Sequence, residues 1–285
     1  MCRIKFIGLK IIGLAVLVTL FPAAGGSLEL KPHGSSDAPT KGTFKFNLSS
    51  SPTTLNPLSS TDAYSSEVQD FVVESLLQRD VETYEWVPSL AKDWEVSDDG
   101  LKYTFTIREG VKWHDGQPLT VEDVLFSFNA IMHPKNKYHT AHMRPYFENI
   151  EKVEKLAKNK VRFTANKVYF GNFDVVAGMR IVPKHLYKDP SEEEESELNK
   201  TLVGTGPYKL EAFERGRRLI LEKNKDWWGE KHEYYKAKNN FERIYMRFVK
   251  EDIKAIQRLT RGDLDFIGLG PEKFVKNTNG SEWGK

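Results

Sequence analysis

The stretch VKWHDGQPLTVEDVLFSF, Val111 to Phe128, sets a tryptophan, a histidine and a carboxylic acid side by side at Trp113-His114-Asp115. An imidazole next to a carboxylate is the raw material of a general base or a metal ligand. A zinc centre needs several converging donors, and the tightest histidine cluster lies elsewhere, at His133, His139 and His142 in MHPKNKYHTAHMR. His139 and His142 would share a face only on a helix, whereas Pro134, Asn136 and Pro145 make the segment read as a loop. Incidental loop histidines are the better reading, and no metal site is assigned. Nucleophilic catalysis has less support still, since the chain lacks a Gly-x-Ser-x-Gly elbow and no Ser/His/Asp set is patterned.

Three further stretches weaken on inspection. GTGPY (Gly204–Tyr208) has the glycines of a phosphate loop, but no Lys-Ser/Thr follows and Pro207 removes an amide donor. It reads as a tight turn. Trp227-Trp228-Gly229 has the rings for a sugar platform, yet an aromatic pair packed on the core at a strand end fits better. The acidic run SEEEESELNK (Ser191–Lys200) reads as a solvated helix or loop, not a calcium site. No catalytic residue, metal or cofactor is expected.

The elements around His114 point the same way. LKYTFTIREG alternates Leu101, Tyr103, Phe105 and Ile107 against Lys102, Thr104, Thr106 and Arg108, the clearest strand in the chain. Asp115-Gly116 then supplies turn chemistry, and Thr120 stands as N-cap with Asp123 three residues on. Val121, Val124, Leu125, Phe128 and Ile131 form the apolar stripe of the helix that follows. His114 thus sits in a turn between a strand and a capped helix, which favours a structural role.

Elsewhere, GTFKFNLSS alternates as a strand, and Ser65–Gln78 carries Val68, Phe71, Val72 and Leu76 at helical spacing. KVRFTA and GRRLILEKN read as strands. RIYMRFV, EDIKAIQRLTRG and DLDFIGLG read as strand, helix and buried strand, the helix stopping at Gly262. That order is a βαβ crossover, which implies a parallel pair in an α/β core.

At 285 residues the chain can fill one large or two ordinary domains. Its 42 Lys+Arg against 40 Asp+Glu argue against nucleic-acid binding through bulk charge. Residues 1–25 differ from the rest: Arg3, Lys5 and Lys10 precede the apolar run Ile11–Phe21 and small residues, the order of a secretory signal. The one cysteine, Cys2, lies ahead of that run, so there is no lipid-attachment cysteine after it and no thiol in the mature chain. A cysteine-free exported chain suits a periplasm. Residues 26–41 read as a flexible leader.

Taken together, PSLAKDWEVSDDGLKYTFTIREGVKWHDGQPLTVEDVLFSF resembles the signature region of the family 5 extracellular solute-binding proteins, the peptide-binding components of ABC importers. LNP (Leu55–Pro57), ESLL (Glu74–Leu77), VGTGPYKL, LEKNKDWWG and IYMRFVKEDIKAIQRLTRGDLDF follow in family order across roughly residues 42–285. The resemblance implies an α/β, type II periplasmic-binding-protein-like fold, a mixed-sheet lobe with an inserted α+β subdomain. The lobe core would comprise 42–58 and 171–267, and the supporting subdomain 59–170. Family members run longer, so 268–285 is expected to open a second lobe that is largely missing here.

The resemblance also implies a non-enzymatic periplasmic receptor, monomeric, closing on an extended peptide and delivering it to permease subunits at the inner membrane. Thr61, Asp62, Ala63 and Tyr64 become the expected ligand contacts, with Asp62 meeting a peptide ammonium. Gly204, Thr205, Gly206 and Gly268 become hinge or cleft-loop residues. Three alternatives stay open: a nickel-chelate or other small-solute receptor, a secreted metal-dependent hydrolase using His133, His139 and His142, and a non-binding relic.

Overall fold

The computed structural model describes residues 34–35, 37–133, 138 and 140–277. The expected signal segment, Cys2, most of the leader, His139 and residues 278–285 lie outside them. Ten strands and seven α-helices are described. In chain order they are β1 (Thr43–Leu48), α1 (Ala63–Gln69), β2 (Leu77–Arg79), β3 (Trp86–Pro88), β4 (Ala91–Val96), β5 (Lys102–Ile107) and α2 (Val121–Met132). Then come β6 (Ile150–Ala157), β7 (Lys160–Ala165), α3 (Gly171–Ala177), α4 (Lys184–Tyr187) and α5 (Glu192–Leu198). The chain continues through β8 (Tyr208–Glu214), β9 (Arg218–Lys223), β10 (Arg243–Phe248), α6 (Asp252–Thr260) and α7 (Pro271–Asn277).

Two four-stranded sheets organise these elements. The first runs β1-β10-β9-β8, with β1 parallel to β10 and the other pairs antiparallel. Alternation decides its faces: Phe46, Leu48, Ile244, Met246, Leu219 and Leu221 point to one core, which Val68 and Val72 cover. The second sheet, β4-β5-β7-β6, is antiparallel throughout. The expected faces of β5 are observed, with Tyr103, Phe105 and Ile107 buried. Helix α2 packs on this sheet through Val121, Val124, Phe128 and Ile131. Its start is sealed by Asp123, whose carboxylate accepts from Thr120 N at 2.8 Å, while its other oxygen accepts from Lys184 N at 2.9 Å. The mixed α/β architecture that the resemblance implies is observed.

Two expectations change. The helix expected over Ser65–Gln78 stops at Gln69, because Phe71 and Val72 give their carbonyls to another segment: Tyr208 N donates to Phe71 at 3.2 Å and Gly206 N to Val72 at 3.0 Å. The strand expected in DLDFIGLG reduces to one parallel bridge, Phe46 with Phe266. The crossover itself is present. Helix α6 ends before Gly262, at φ +77°, and the chain returns to β1 opposite β10, with Asp265 N donating to Lys45 O at 2.7 Å.

The second sheet's core centres on Phe105, which has no exposed surface, meets Phe163 edge-on at 5.9 Å and stacks on Phe173 at 6.0 Å. Phe105→Ala is expected to lower unfolding free energy by about 3–5 kcal/mol, read from urea denaturation. A loss below about 1 kcal/mol would mean the site collapses or hydrates freely.

Candidate functional site

Four stretches that are weak alone meet inside the molecule. The Glu74 carboxylate accepts from Thr205 Oγ1 (2.7 Å), Trp228 Nε1 (2.8 Å) and Trp227 Nε1 (3.1 Å). Arg108 stacks its guanidinium over the Trp228 ring at 4.2 Å. Burial pushes Glu74 up to about 7, against the pull of those three hydrogen bonds and of Arg108. One residue to either side of Thr205, His114 grips the same turn. Its backbone N donates to Gly204 O at 2.9 Å, its Nδ1 accepts from Gly204 N at 3.3 Å, and its Nε2 lies 3.0 Å from Gly206 O. That set of partners assigns the neutral Nε2–H tautomer. Burial lowers its pKa to about 4, partly offset by the bond to Gly206.

His114 is therefore a structural clip, with both ring nitrogens occupied. Trp113 is buried in the second core, and Asp115 pairs with His185 at 2.6 Å. Trp227 and Trp228 are spent on Glu74 and on packing with Tyr235, which leaves no ring platform. The glycines in the turn answer to close approach: a Cβ on Gly204 would lie 1.8 Å from Val72 O. His133 caps the end of α2 and His142 closes a 3-10 turn at Thr140–His142. Among the described residues no three His, Cys, Asp or Glu side chains are placed to hold a metal.

An exposed constellation lies at the carboxyl edge of the first sheet. Strands β1 and β10 both end there, with Val249 N donating to Leu48 O at 3.1 Å, and the 264–266 return arrives on the other side, Asn47 N donating to Phe266 O at 3.2 Å. Ligands of open α/β sheets bind outside such strand ends. Tyr64 brings its hydroxyl to Ser49 Oγ at 2.9 Å. Asp62 caps α1: Ser65 N (2.8 Å), Ser65 Oγ (2.6 Å) and Thr53 Oγ1 (2.5 Å) all donate to its carboxylate. Burial acts to raise that carboxyl, and the hydrogen bonds outweigh it, holding it below the usual range. Thr61 and Ala63 are exposed beside it. Ser59 Oγ donates to Tyr138 O at 3.2 Å, tying this loop to the one after α2.

The expected residues thus fall into two groups. Thr61–Tyr64 stand on the carboxyl edge, while Gly204, Thr205 and Gly206 are buried in the Glu74 cluster and Gly268 is exposed past the 264–266 return. A cavity of about 830 Å³ opens beside the Glu74 cluster, with Glu74 itself in its wall. Its charged walls are already paired internally, Arg180 with Asp70 and Arg79 with Asp174. Sequence reasoning passed over Glu74 and Arg108; an acid inside the apolar run FVVESLL was the signal for the first.

Residues 85–282 match the family model for bacterial extracellular solute-binding proteins, family 5. The oligopeptide-binding protein AppA of Bacillus subtilis is 30% identical over 223 residues, which cover 76% of this chain and 39% of that one. The AppA structure with a nonapeptide superposes with a TM-score of 0.72 at 27% identity, covering 85% of this chain and 46% of the other. NikZ of Campylobacter jejuni, in complex with Ni(L-His), gives 0.71 at 27% identity, covering 85% and 46%. The chain spans about two fifths of the length of the curated relatives it matches.

Two outcomes are expected from the buried cluster. With its folded pKa raised to about 7, Glu74 supports the fold below the unfolded value of 4.5 and loses that support as pH rises through 7. With its folded pKa lowered to about 4, His114 supports the fold above 6.5 and loses that as pH falls through 4. The two slopes oppose each other, so Glu74→Gln should leave a stability that rises with pH across that window, the difference from wild type growing by roughly 3 kcal/mol. A pH-independent difference in urea midpoints would contradict it. Gly204→Ala should cost about 3 kcal/mol or more, whereas Gly268→Ala, with no atom within 4 Å of the added carbon, should stay within about 0.5 kcal/mol. Equal costs would sink the close-approach account.

Proposed function

The chain belongs to the bacterial extracellular solute-binding proteins of family 5, and from that premise we propose that it captures peptides in the periplasm and presents them to the permease subunits of an ABC importer. It acts as a monomer. What supports this reading is the carboxyl edge, where β1, β10 and the 264–266 return end together beside an ordered, exposed turn. A peptide laid there in extended form would satisfy its backbone groups against strand ends, so affinity would not depend on any one side chain. Thr61, Ala63 and Tyr64 face the peptide in this reading. Asp62 holds their turn in shape, Gly204–Gly206 brace the lobe from within, and Gly268 lies where the chain leaves it. We further place the lobe core at 42–58 and 171–267, with 59–170 as its support.

A second reading, capture of a nickel chelate, draws on the NikZ likeness, which is as strong in identity as that to the AppA structure. The two separate cleanly. The protein isolated from its own host is examined by native mass spectrometry, then titrated with tripeptides, a nonapeptide and Ni(L-His). Peptide passengers that added peptides displace are expected. A nickel–histidine passenger, or binding of Ni(L-His) with no binding of any peptide, would overturn the peptide reading.

A further inference from the structure

The β8–β9 turn, ERGRR, carries three arginines in five residues, Glu214 to Arg218. Because β9 runs antiparallel to β10, this turn lies at the edge where β10 ends: Arg218 stands opposite Arg247, and Phe248 N donates to Arg217 O at 3.3 Å. The turn is fastened to the Asp62 loop. Arg215 Nη2 donates to Thr53 O at 2.6 Å, Gly216 N donates to Ser51 Oγ at 3.2 Å, and Thr53 in turn donates to Asp62. A basic ridge therefore borders the proposed peptide position directly.

Its charges are poorly balanced. Glu214 alone answers both Arg217 (2.7 Å) and Arg218 (2.6 Å). Arg215, Arg247 and Lys250 make no ion pair with the described residues. Arg247 donates only to a neutral acceptor, Tyr245 Oη, at 3.0 Å. Side chains directly opposite on an antiparallel pair share a face, and like charges there are destabilising. Arg218 opposite Arg247 is such a pair, next to a sheet edge with unused cations on both sides. Local violations of this kind are expected at functional sites.

We propose that this ridge makes the site select anionic solutes, acidic peptides in particular, with Arg247 and Arg215 as the specificity-determining cations. The inference rests on the peptide reading above. Because these cations sit at an exposed rim, they act through steering and through charge-assisted contacts that salt weakens. Neutral peptides have no such term to lose.

The test compares three alanine-based pentapeptides of equal length, carrying two Glu, no charge or two Lys, titrated calorimetrically at low and high salt. The Glu peptide is expected to bind about tenfold tighter than the neutral one at low salt, the gap closing as salt rises. Arg247→Gln should shrink that ratio several-fold and, by removing the opposed charge, raise the urea midpoint. Arg215→Gln is the second variant, read by the same ratio. Equal affinities for all three peptides at both salts, or a ratio unmoved by both variants, would overturn the ridge while leaving peptide capture standing. Binding of Ni(L-His) with no peptide binding at all would instead overturn the peptide reading, and the ridge proposal with it.

Discussion

A largely buried carboxyl group ties the segment entering the second sheet's unit to the hairpin of the first sheet. Glu74 sits in the connection from α1 to β2, and each of its donors comes from far along the chain: Thr205 just before β8, Trp227 and Trp228 just after β9. Burying a carboxyl without partners costs several kcal/mol, and removing one partner from a satisfied buried group costs most of that again. The segment leading into the second unit and the β8–β9 hairpin of the first sheet are thus locked to one another. His114 adds a third strand of connection by taking three groups of the same turn. A Trp-His-Asp-Gly sequence that looks like chemistry is a fastening, and the fastening works because the imidazole stays neutral.

The brace has a consequence at the other end of the hairpin. With Tyr208 and Lys223 fixed near the buried cluster, the turn at Arg215–Arg217 can only emerge at the opposite end of β8 and β9, over the Ser51–Thr53 loop. The carboxyl edge is then held from two directions, by its own strand pairing and by the hairpin. A binding surface on rigid strand ends keeps its geometry better than one on free loops. Opposed arginines on β9 and β10 are tolerable in this setting because the cores behind them supply stability that the edge does not.

Local pattern carried much of the fold. The alternation of Tyr103, Phe105 and Ile107, the 3.6-residue stripe of α2 with its Thr120–Asp123 cap, and the crossover through α6 to Gly262 all appear where periodicity and capping chemistry place them. Periodicity misled at Phe71–Leu76. The apolar spacing there is helical, yet the carbonyls of Phe71 and Val72 are taken by Tyr208 and Gly206, more than 130 residues away, and a helix cannot continue past carbonyls committed elsewhere. Asp62 shows what local pattern leaves out: an acid in a loop after LNP reads as a partner for an ammonium, and the structure adds that its oxygens also cap α1 and anchor Thr53.

The sequence by itself determined the family, through an ordered set of motifs, and the strands and helices whose signals lie within a few residues of each other. Only the tertiary structure decided that ESLL, WHDG, GTGP and WWG are one buried cluster, and that ERGRR and Arg247 share an edge with Thr61–Tyr64. The physical reason is separation. These partners stand 29 to 165 residues apart, and no periodic pattern records a contact over that distance. It exists once folding has met the loop-closure cost and burial has turned each polar group's need for a partner into a requirement.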